Sequence, residues 1–379
     1  MVNYISNTRL NYKSIIKTTL VSVCVATLCI FIIIFPNYSS DGVRIGLSFC
    51  SNTLIPSLFP FMVLSAFIVK SGLANKLGTI LEPITKCLFN LPGCTGATIL
   101  ISLIGGYPSG ARGVKSLVEK RLITEKQAEQ LLCFTVGAGP AFVITVVGNG
   151  LMKNNQSGII LFLSQIIAAI ISGIISKRLS NNQTISQTLP TQSKKLNSLS
   201  SALVDSCLDS TEGMINMCAF VVLFSSILSI AKQSGISEAF TQLLLNIGVS
   251  SSCANSIMSI ILEVTNGCSD AARYGASPEL IAFGLGWAGA CVHFQICSSL
   301  TNIRFSKVKF TLFRFIHGAL AAIVSHIIFL FFPQTSTVFL SNSRPISSGT
   351  SCSPIGCIAL LILCSSFLIS CFSKNTNQG

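Results

Sequence analysis

Residues 97–112 read ATILISLIGGYPSGAR, and the chain is organised around this stretch. The run begins with the small and β-branched residues of a membrane helix and then breaks at GGYPSG. Two glycines release the backbone from helical angles, while Pro108 removes an N–H group and disfavours a helical Tyr107. Hydrocarbon cannot satisfy the freed peptide groups, so such a break requires protein or a water-filled cavity around it. This pattern is typical of a transporter's binding site; the alternative is a loop at the end of an ordinary span.

The composition predicts an all-α polytopic membrane protein. Half of the 379 residues are apolar and only 10% are charged, whereas a soluble domain carries about 25% charged residues. The apolar runs are roughly 18–23 residues long, which suits membrane helices. The net charge of +13 comes from Lys and Arg between these runs, as the positive-inside rule produces. We therefore expect a lipid bilayer as partner and no nucleic acid.

The motifs do not favour an enzyme. The sequence has no nucleophile–base arrangement, metal-ligand spacing or phosphate-binding loop. We expect no catalytic residue, no metal and no cofactor.

The chain divides into five predicted regions. These are an N-terminal tail with a first transmembrane span at 1–44, a first repeat at 45–176, a polar cytoplasmic linker at 177–200, a second repeat at 201–309, and C-terminal transmembrane spans with a tail at 310–379. Within them we expect an external loop at 37–46, an amphipathic surface helix at 70–92, a cytoplasmic helix at 112–129 and one Gly-rich span at 279–299.

Two stretches in the second half resemble stretches of the first, in the same order. ATILISLIGGYPSGA at 97–111 corresponds to ANSIMSIILEVTNGC at 254–268, and VGAGPAF at 136–142 to LGWAGAC at 285–291. Most of the 25 Lys and Arg residues fall in 1–17, 70–130, 177–200, 304–314 and at 374, which we assign to the cytoplasm.

This assignment requires each broken segment to enter and leave on one side, from the cytoplasm for 93–110 and from outside for 251–267. It predicts two inverted repeats with re-entrant hairpins and broken helices around a central site. The sequence alone leaves open whether the segments re-enter or cross.

Polar residues inside apolar segments are the candidate site residues, because burying them in lipid is costly. The predicted substrate-binding residues are Gly105, Gly106, Tyr107, Pro108, Ser109, Gly139, Pro140, Glu263, Thr265, Asn266, His293 and Gln295. Arg112 and Arg273 follow the broken segments and are predicted to attract an anion. The alternatives are that Glu263 only touches water at a hairpin tip, that His293 is hydrogen-bonded within a bundle, and that the two arginines set topology.

Five motifs together resemble the sporulation integral membrane protein YlbJ (SpoVV) family, within the nucleoside-recognition or Gate domain group. They are PSLFPF (56–61), GGYPSGA (105–111), AGPAF (138–142), EVTNGC (263–268) and WAGACVHFQ (287–295). The resemblance covers roughly residues 45–330. The sequence differs from the family's pattern at Gly137, where many members of the family have an Asn.

The resemblance implies a fold like that of concentrative nucleoside transporters. It also implies a protein of endospore-forming Firmicutes in the outer forespore membrane, moving dipicolinic acid, a small organic anion. Tyr107 and Trp287 would then stack on the substrate ring, or serve as interfacial anchors. A nucleoside or nucleobase carrier and a non-transport assembly protein of spore maturation are the alternatives. Coupling to H⁺ or Na⁺, homo-oligomerisation and the direction of transport stay open.

Overall fold

The computed structural model describes residues 25–180 and 198–332, together with residues 19, 22 and 23. The described part is all-α, as the composition predicts. The helices of the first half are α1 (Val25–Ile34), α2 (Pro36–Lys70), α3 (Leu73–Ile84), α4 (Cys94–Gly105), α5 (Tyr107–Glu119), α6 (Glu125–Thr135), α7 (Ala141–Leu151, wound as a π-helix) and α8 (Asn155–Leu179).

The second half repeats this order from α2 onward. Its helices are α9 (Leu199–Gln233), α10 (Ile236–Asn246), α11 (Ser251–Leu262), α12 (Val264–Arg273), α13 (Pro278–Trp287), α14 (Gly289–Ser299) and α15 (Lys307–Phe331). In each half a 35-residue helix leads through a left-handed glycine, Gly72 or Gly235, into a shorter helix. Two short helices broken at a tip follow, then two more broken in line, then a long helix. The internal repeat read from the sequence is therefore present in the fold.

Both predicted broken segments are helical hairpins. Hairpin 1 consists of α4 and α5, which pack side by side with their tip at Gly106; hairpin 2 consists of α11 and α12, with its tip at Glu263. The returning arms extend to Glu119 and Arg273, beyond the segments 93–110 and 251–267 that the sequence suggested.

The two hairpins approach from opposite ends of the long helix α9. On the returning arm of hairpin 1, Arg112 Nη1 donates to the carbonyl oxygen of Asp209 at 2.9 Å. On the returning arm of hairpin 2, Asp270 pairs with Lys232 at 2.7 Å. Asp209 and Lys232 lie about 35 Å apart along α9, given a rise of about 1.5 Å per residue. The hairpins are thus inverted relative to each other, as the charge pattern predicts.

Segments assigned to the cytoplasm lie together at one end of the fold. Lys177 Nζ donates to the carbonyl oxygen of Cys87 at 2.6 Å, and Lys309 pairs with Glu129 at 3.0 Å. In the described residues, five helices are long and apolar enough to cross a membrane, or six if one bent pair is a single span. These helices support the prediction of an integral membrane protein.

Several local predictions are wrong. Residues 37–46 form no loop, because α2 runs unbroken from Pro36 to Lys70 with a π-helical turn at Cys50–Leu54 just before Pro56. A proline that cannot donate a backbone hydrogen bond is a common cause of such a local rearrangement. The predicted helix 112–129 is two helices separated by a turn, and a capping box at Thr124 and Gln127 starts the second.

The predicted span 279–299 corresponds to a candidate membrane span at Pro278–Ser299, but the helix is interrupted at Ala288, which adopts a left-handed φ of 71°. The ends of the predicted linker 177–200 belong to α8 and α9. Our predictions for 1–17, 181–197 and 333–379 lie outside the described residues.

Candidate functional site

The tip of hairpin 1 sits directly against the break between α6 and α7. A Cβ atom placed on Gly139, in this break, would lie 2.9 Å from the carbonyl oxygen of Ile104 and 3.0 Å from the backbone nitrogen of Gly106. Both separations are shorter than a normal van der Waals contact. Only a glycine at position 139 lets the broken helix approach the tip this closely.

The tip of hairpin 2 repeats this arrangement at the break between α13 and α14. A Cβ atom on Gly289 would lie 2.9 Å from the backbone nitrogen of Val264 and 3.0 Å from the Cα atom of Glu263. Each hairpin therefore packs its tip on the interrupted helix of its own repeat. The backbone breaks that the sequence pattern suggested face one another in the interior of the protein, where protein groups can satisfy them.

A cavity of about 500 Å³, counting its open mouth, lies where the two tips meet. The lining residues are Leu54, Leu58, Met62, Gly105, Gly106, Tyr107, Pro108, Gly139, Phe142, Met217, Val221, Glu263, Val264, Thr265, Val292 and Gln295. The walls are mainly apolar, and the polar groups come from the tips and from α14.

Helix C-termini at the breaks receive hydrogen bonds from side chains. Their terminal carbonyl groups have no partner within the helix. The donors are Ser109 Oγ to Gly105 O at 3.0 Å for α4, Arg314 Nη2 to Cys133 O at 2.7 Å for α6, Trp287 Nε1 to Ile261 O at 3.3 Å for α11, and Tyr107 Oη to Leu285 O at 2.7 Å for α13. All four C-termini therefore have at least one side-chain donor.

Most helix N-termini at the same breaks have no side-chain hydrogen-bond partner. Of α5, α7, α12 and α14, only α12 has a side-chain cap. Its cap is the buried carboxylate of Glu263, which accepts from the N–H groups of Thr265 at 2.9 Å and Asn266 at 2.7 Å. Helix N-termini carry partial positive charge and bind anions. Each of the four C-termini at the breaks thus has a side-chain donor, whereas three of the four N-termini have no side-chain cap.

Eight of the predicted substrate-binding residues line the cavity. They are Gly105, Gly106, Tyr107, Pro108, Gly139, Glu263, Thr265 and Gln295. The other four are close to it in sequence but serve the scaffold or face elsewhere. Ser109 caps α4, Pro140 precedes α7, and Asn266 Nδ2 bridges Glu263 and the Ser225 hydroxyl of α9.

His293 and Gln295 face different surroundings, as their spacing on a helix predicts. His293 Nδ1 lies 2.8 Å from the carbonyl oxygen of Gly289, and its ring packs between Trp287 and Phe310. Gln295 faces the cavity. Trp287 does not line the cavity, so of the two predicted stacking aromatics only Tyr107 is positioned to contact a ligand there.

Neither of the predicted anion-attracting arginines reaches the cavity. The guanidinium of Arg112 is half-buried against α9 and donates to Asp209, while Arg273 is exposed at the far end of α12, over the ring of Tyr274. Glu263 neutralises the N-terminus of its own hairpin arm. Of the two hairpin tips, only the first therefore has a helix N-terminus without a side-chain cap.

One series of buried, hydrogen-bonded polar side chains was not predicted from the sequence. Arg314 is fully buried on α15, donates to the carbonyl oxygens of Cys133 and Val136, and lies 3.4 Å from His317 Nδ1. His317 Nε2 in turn contacts Gln165 Oε1 at 3.1 Å. The charge count places Arg314 with the cytoplasmic Lys and Arg residues, whereas the structure buries its side chain completely. Its place within the apolar run 310–332 was the available signal, since an Arg inside a membrane segment is rare.

In the described residues, no group of three or more His, Cys, Asp or Glu side chains is arranged to hold a metal ion.

Comparison with known proteins gives three similarities. No family model matches the chain. It is 26% identical over 335 residues to the sporulation integral membrane protein YlbJ of Bacillus subtilis (strain 168), covering 81% of this chain and 82% of that protein. Among solved structures, a substituted CNTnw in an outward-facing state matches 82% of both chains at 14% identity with a TM-score of 0.43. CNTnw in an inward-facing substrate-bound state matches 72% of both at 14% identity with a TM-score of 0.40.

Proposed function

We propose that this chain, which is similar over most of its length to the sporulation integral membrane protein YlbJ, belongs to the same family and is a carrier for a small organic anion. The substrate we propose is dipicolinic acid, moved across the outer forespore membrane during sporulation. In this proposal the protein is a transporter and not an enzyme, and binding alone performs its chemistry.

One observation carries the proposal of an anionic substrate. Around the cavity, side chains donate to the C-terminal carbonyl groups of four interrupted helices, whereas three of the four N-termini have no side-chain cap. A ligand with acceptor oxygens could accept hydrogen bonds from the N–H groups of the three uncapped N-termini, because each helix N-terminus favours negative charge. A ligand that offers mainly donors would compete with the side-chain donor that each of the four C-termini already has.

The shape and lining of the cavity favour a flat apolar body with polar ends. Leu58, Phe142 and Val221 form apolar walls, and Tyr107 presents an aromatic ring. Dipicolinate is a planar aromatic ring with two carboxylates, so its ring suits the walls and its carboxylates suit the helix N-termini. An offset-stacked contact with Tyr107 would contribute about 0.5–1.5 kcal/mol beyond the buried area.

Uptake of labelled dipicolinate into liposomes containing the purified protein tests the proposal. We expect uptake above that of protein-free vesicles, competed by unlabelled dianions and not by uridine. Applying a proton or a sodium gradient to the same vesicles tests coupling to H⁺ or Na⁺.

A matched pair of variants on α9 separates transport through the cavity from leakage. Met217 lines the cavity, whereas Leu223 is 44% exposed on the outside of the same helix. Met217→Trp fills the cavity and is expected to abolish uptake, while Leu223→Trp leaves it near the wild-type rate. Uridine uptake without dipicolinate uptake would instead favour a nucleoside carrier. Normal sporulation with Met217→Trp would favour an assembly role without transport.

A further inference from the structure

We infer that Arg314, on α15, is the residue that makes this cavity prefer anions. The inference rests on the proposed function and names the group that determines the charge specificity of the same site. Arg314 acts on the substrate through the electric field across the first helix break, and it does not contact the ligand directly.

Arg314 is a buried cation without a carboxylate partner. It is the only buried Lys or Arg in the described part of the chain, with 0% of its surface exposed. None of the ion pairs formed there includes its guanidinium. Its Nε–H group is buried and has no hydrogen-bond partner. An isolated charge in such a place is costly unless something of opposite charge approaches it.

The partners that Arg314 does have compensate its charge only in part. Its two terminal nitrogens donate to the carbonyl oxygens of Cys133 and Val136, at the C-terminal end of α6. A helix C-terminus is equivalent to roughly half a negative charge. His317 adds a hydrogen-bond contact at 3.4 Å but no negative charge. A net positive charge of about one half therefore remains at this position.

This charge lies close to the cavity. Val136 accepts a hydrogen bond from Arg314, and Gly139, three residues further on, lines the cavity. Because consecutive Cα atoms are about 3.8 Å apart, Val136 and Gly139 are separated by at most about 11 Å. At this range the residual charge is expected to favour a carboxylate over a neutral group by about threefold to tenfold.

The other basic residues cannot supply the same field. Arg112 lies against Asp209 near one end of α9 and Lys232 pairs with Asp270 near the other. Arg273 is exposed. The cavity lining contains no Lys or Arg, and its only ionisable carboxylate, that of Glu263, caps α12. Counted in the same way, this cap leaves about half a negative charge at the second tip, and the positive charge of Arg314 at the first break offsets it. Arg314 is thus the nearest candidate for attracting an anion to a site lined mainly by apolar groups.

The test compares two substrates of the same shape and different charge. Liposomes containing each variant are given labelled dipicolinate or the neutral pyridine-2,6-dicarboxamide, and the ratio of the two uptake rates is measured. Arg314→Gln removes the charge and is expected to lower the ratio about threefold to tenfold. Arg314→Lys keeps the charge and is expected to leave the ratio within about twofold of the wild type. Arg112→Gln is the matched control, since Arg112 also donates to a backbone carbonyl, and its ratio is expected to stay unchanged.

Each outcome distinguishes the inference from the function on which it rests. If the wild type does not take up dipicolinate, the proposed function itself is wrong. If the wild type takes it up and Arg314→Gln keeps the wild-type ratio, the charge role of Arg314 is wrong and the function stands. If Arg314→Gln does not fold, Arg314→Lys decides: a ratio that falls despite the retained charge overturns the inference, because only the geometry of the guanidinium then mattered.

Discussion

At the residue scale, the contact between the first hairpin tip and the first helix break depends on one missing side chain. Gly139→Ala would force a methyl group to within 3.0 Å of backbone atoms that cannot move independently. We expect this change to destabilise the protein by about 1–3 kcal/mol, in the range for overpacking, and to reduce uptake. Thermal unfolding of the purified protein in detergent measures the first effect.

Gly137 is the control for this prediction, because it lies in the same break. A Cβ atom at Gly137 meets no heavy atom within 4 Å, and its φ is not in the left-handed region. Gly137→Ala is therefore expected to unfold at the wild-type temperature. Equal destabilisation by both substitutions would contradict the close approach of tip and break.

The polar residues at the site were predictable from sequence, whereas the apolar ones were not. Glu263 and Gly106 stood out because charges and glycine pairs are unusual inside apolar runs. Met62, Met217 and Val221 resemble any other membrane-helix residues, so only the three-dimensional packing identifies them as lining. The capping role of Glu263 was equally unpredictable, because a carboxylate that caps its own helix and one that contacts a ligand can have the same local sequence.

At the element scale, an ion pair fastens the returning arm of hairpin 2 to α9. Asp270 accepts from Lys232 Nζ at 2.7 Å and from the Ser259 hydroxyl on the opposite arm. The side chain of Asp270 is only 10% exposed, so Asp270→Asn leaves Lys232 without its charge partner. We expect destabilisation of about 1–3 kcal/mol, between the values for exposed and fully buried pairs. A double-mutant cycle with Lys232→Met measures the coupling.

The control pair is Asp41 and Arg44, whose side chains are 57% and 63% exposed on α2. Asp41→Asn is expected to change stability by less than about 0.5 kcal/mol, because solvent-exposed pairs contribute little. A coupling for Lys232 and Asp270 no larger than that of this surface pair would show that hairpin 2 is held by packing alone.

At the scale of the whole molecule, the hairpins are expected to open to opposite faces of the membrane. The turns that follow their returning arms contain the exposed residues Lys120 and Tyr274. In a background with reduced cysteine content, Lys120→Cys should react with an impermeant thiol reagent only from the cytoplasmic side. Tyr274→Cys should react only from the other side, and labelling in right-side-out and inverted vesicles measures both. Reaction of both from one side would rule out the inverted repeat.

The large-scale arrangement was more predictable than the local boundaries. The inverted orientation of the two repeats can be predicted from the segments in which Lys and Arg accumulate, because this signal is summed over many residues. The division of 279–299 into two helices was missed because Ala288, a residue that ordinarily favours a helix, takes a left-handed conformation there. The neighbouring Gly289 packs against the tip of hairpin 2, and no local sequence pattern encodes this contact between segments about 25 residues apart.

The bond from Arg314 to Val136 joins residues 178 positions apart in the chain, and this has a consequence for biosynthesis. During translation, α6 and α7 enter the bilayer long before α15 leaves the ribosome. Until then, the carbonyl groups at the break between α6 and α7 lack the hydrogen bonds that Arg314 donates to them. Nascent chains that stop short of position 314 would keep this defect permanently and become targets for membrane proteases. The first half of the protein is accordingly expected to mature only once nearly all of the described sequence has been synthesised.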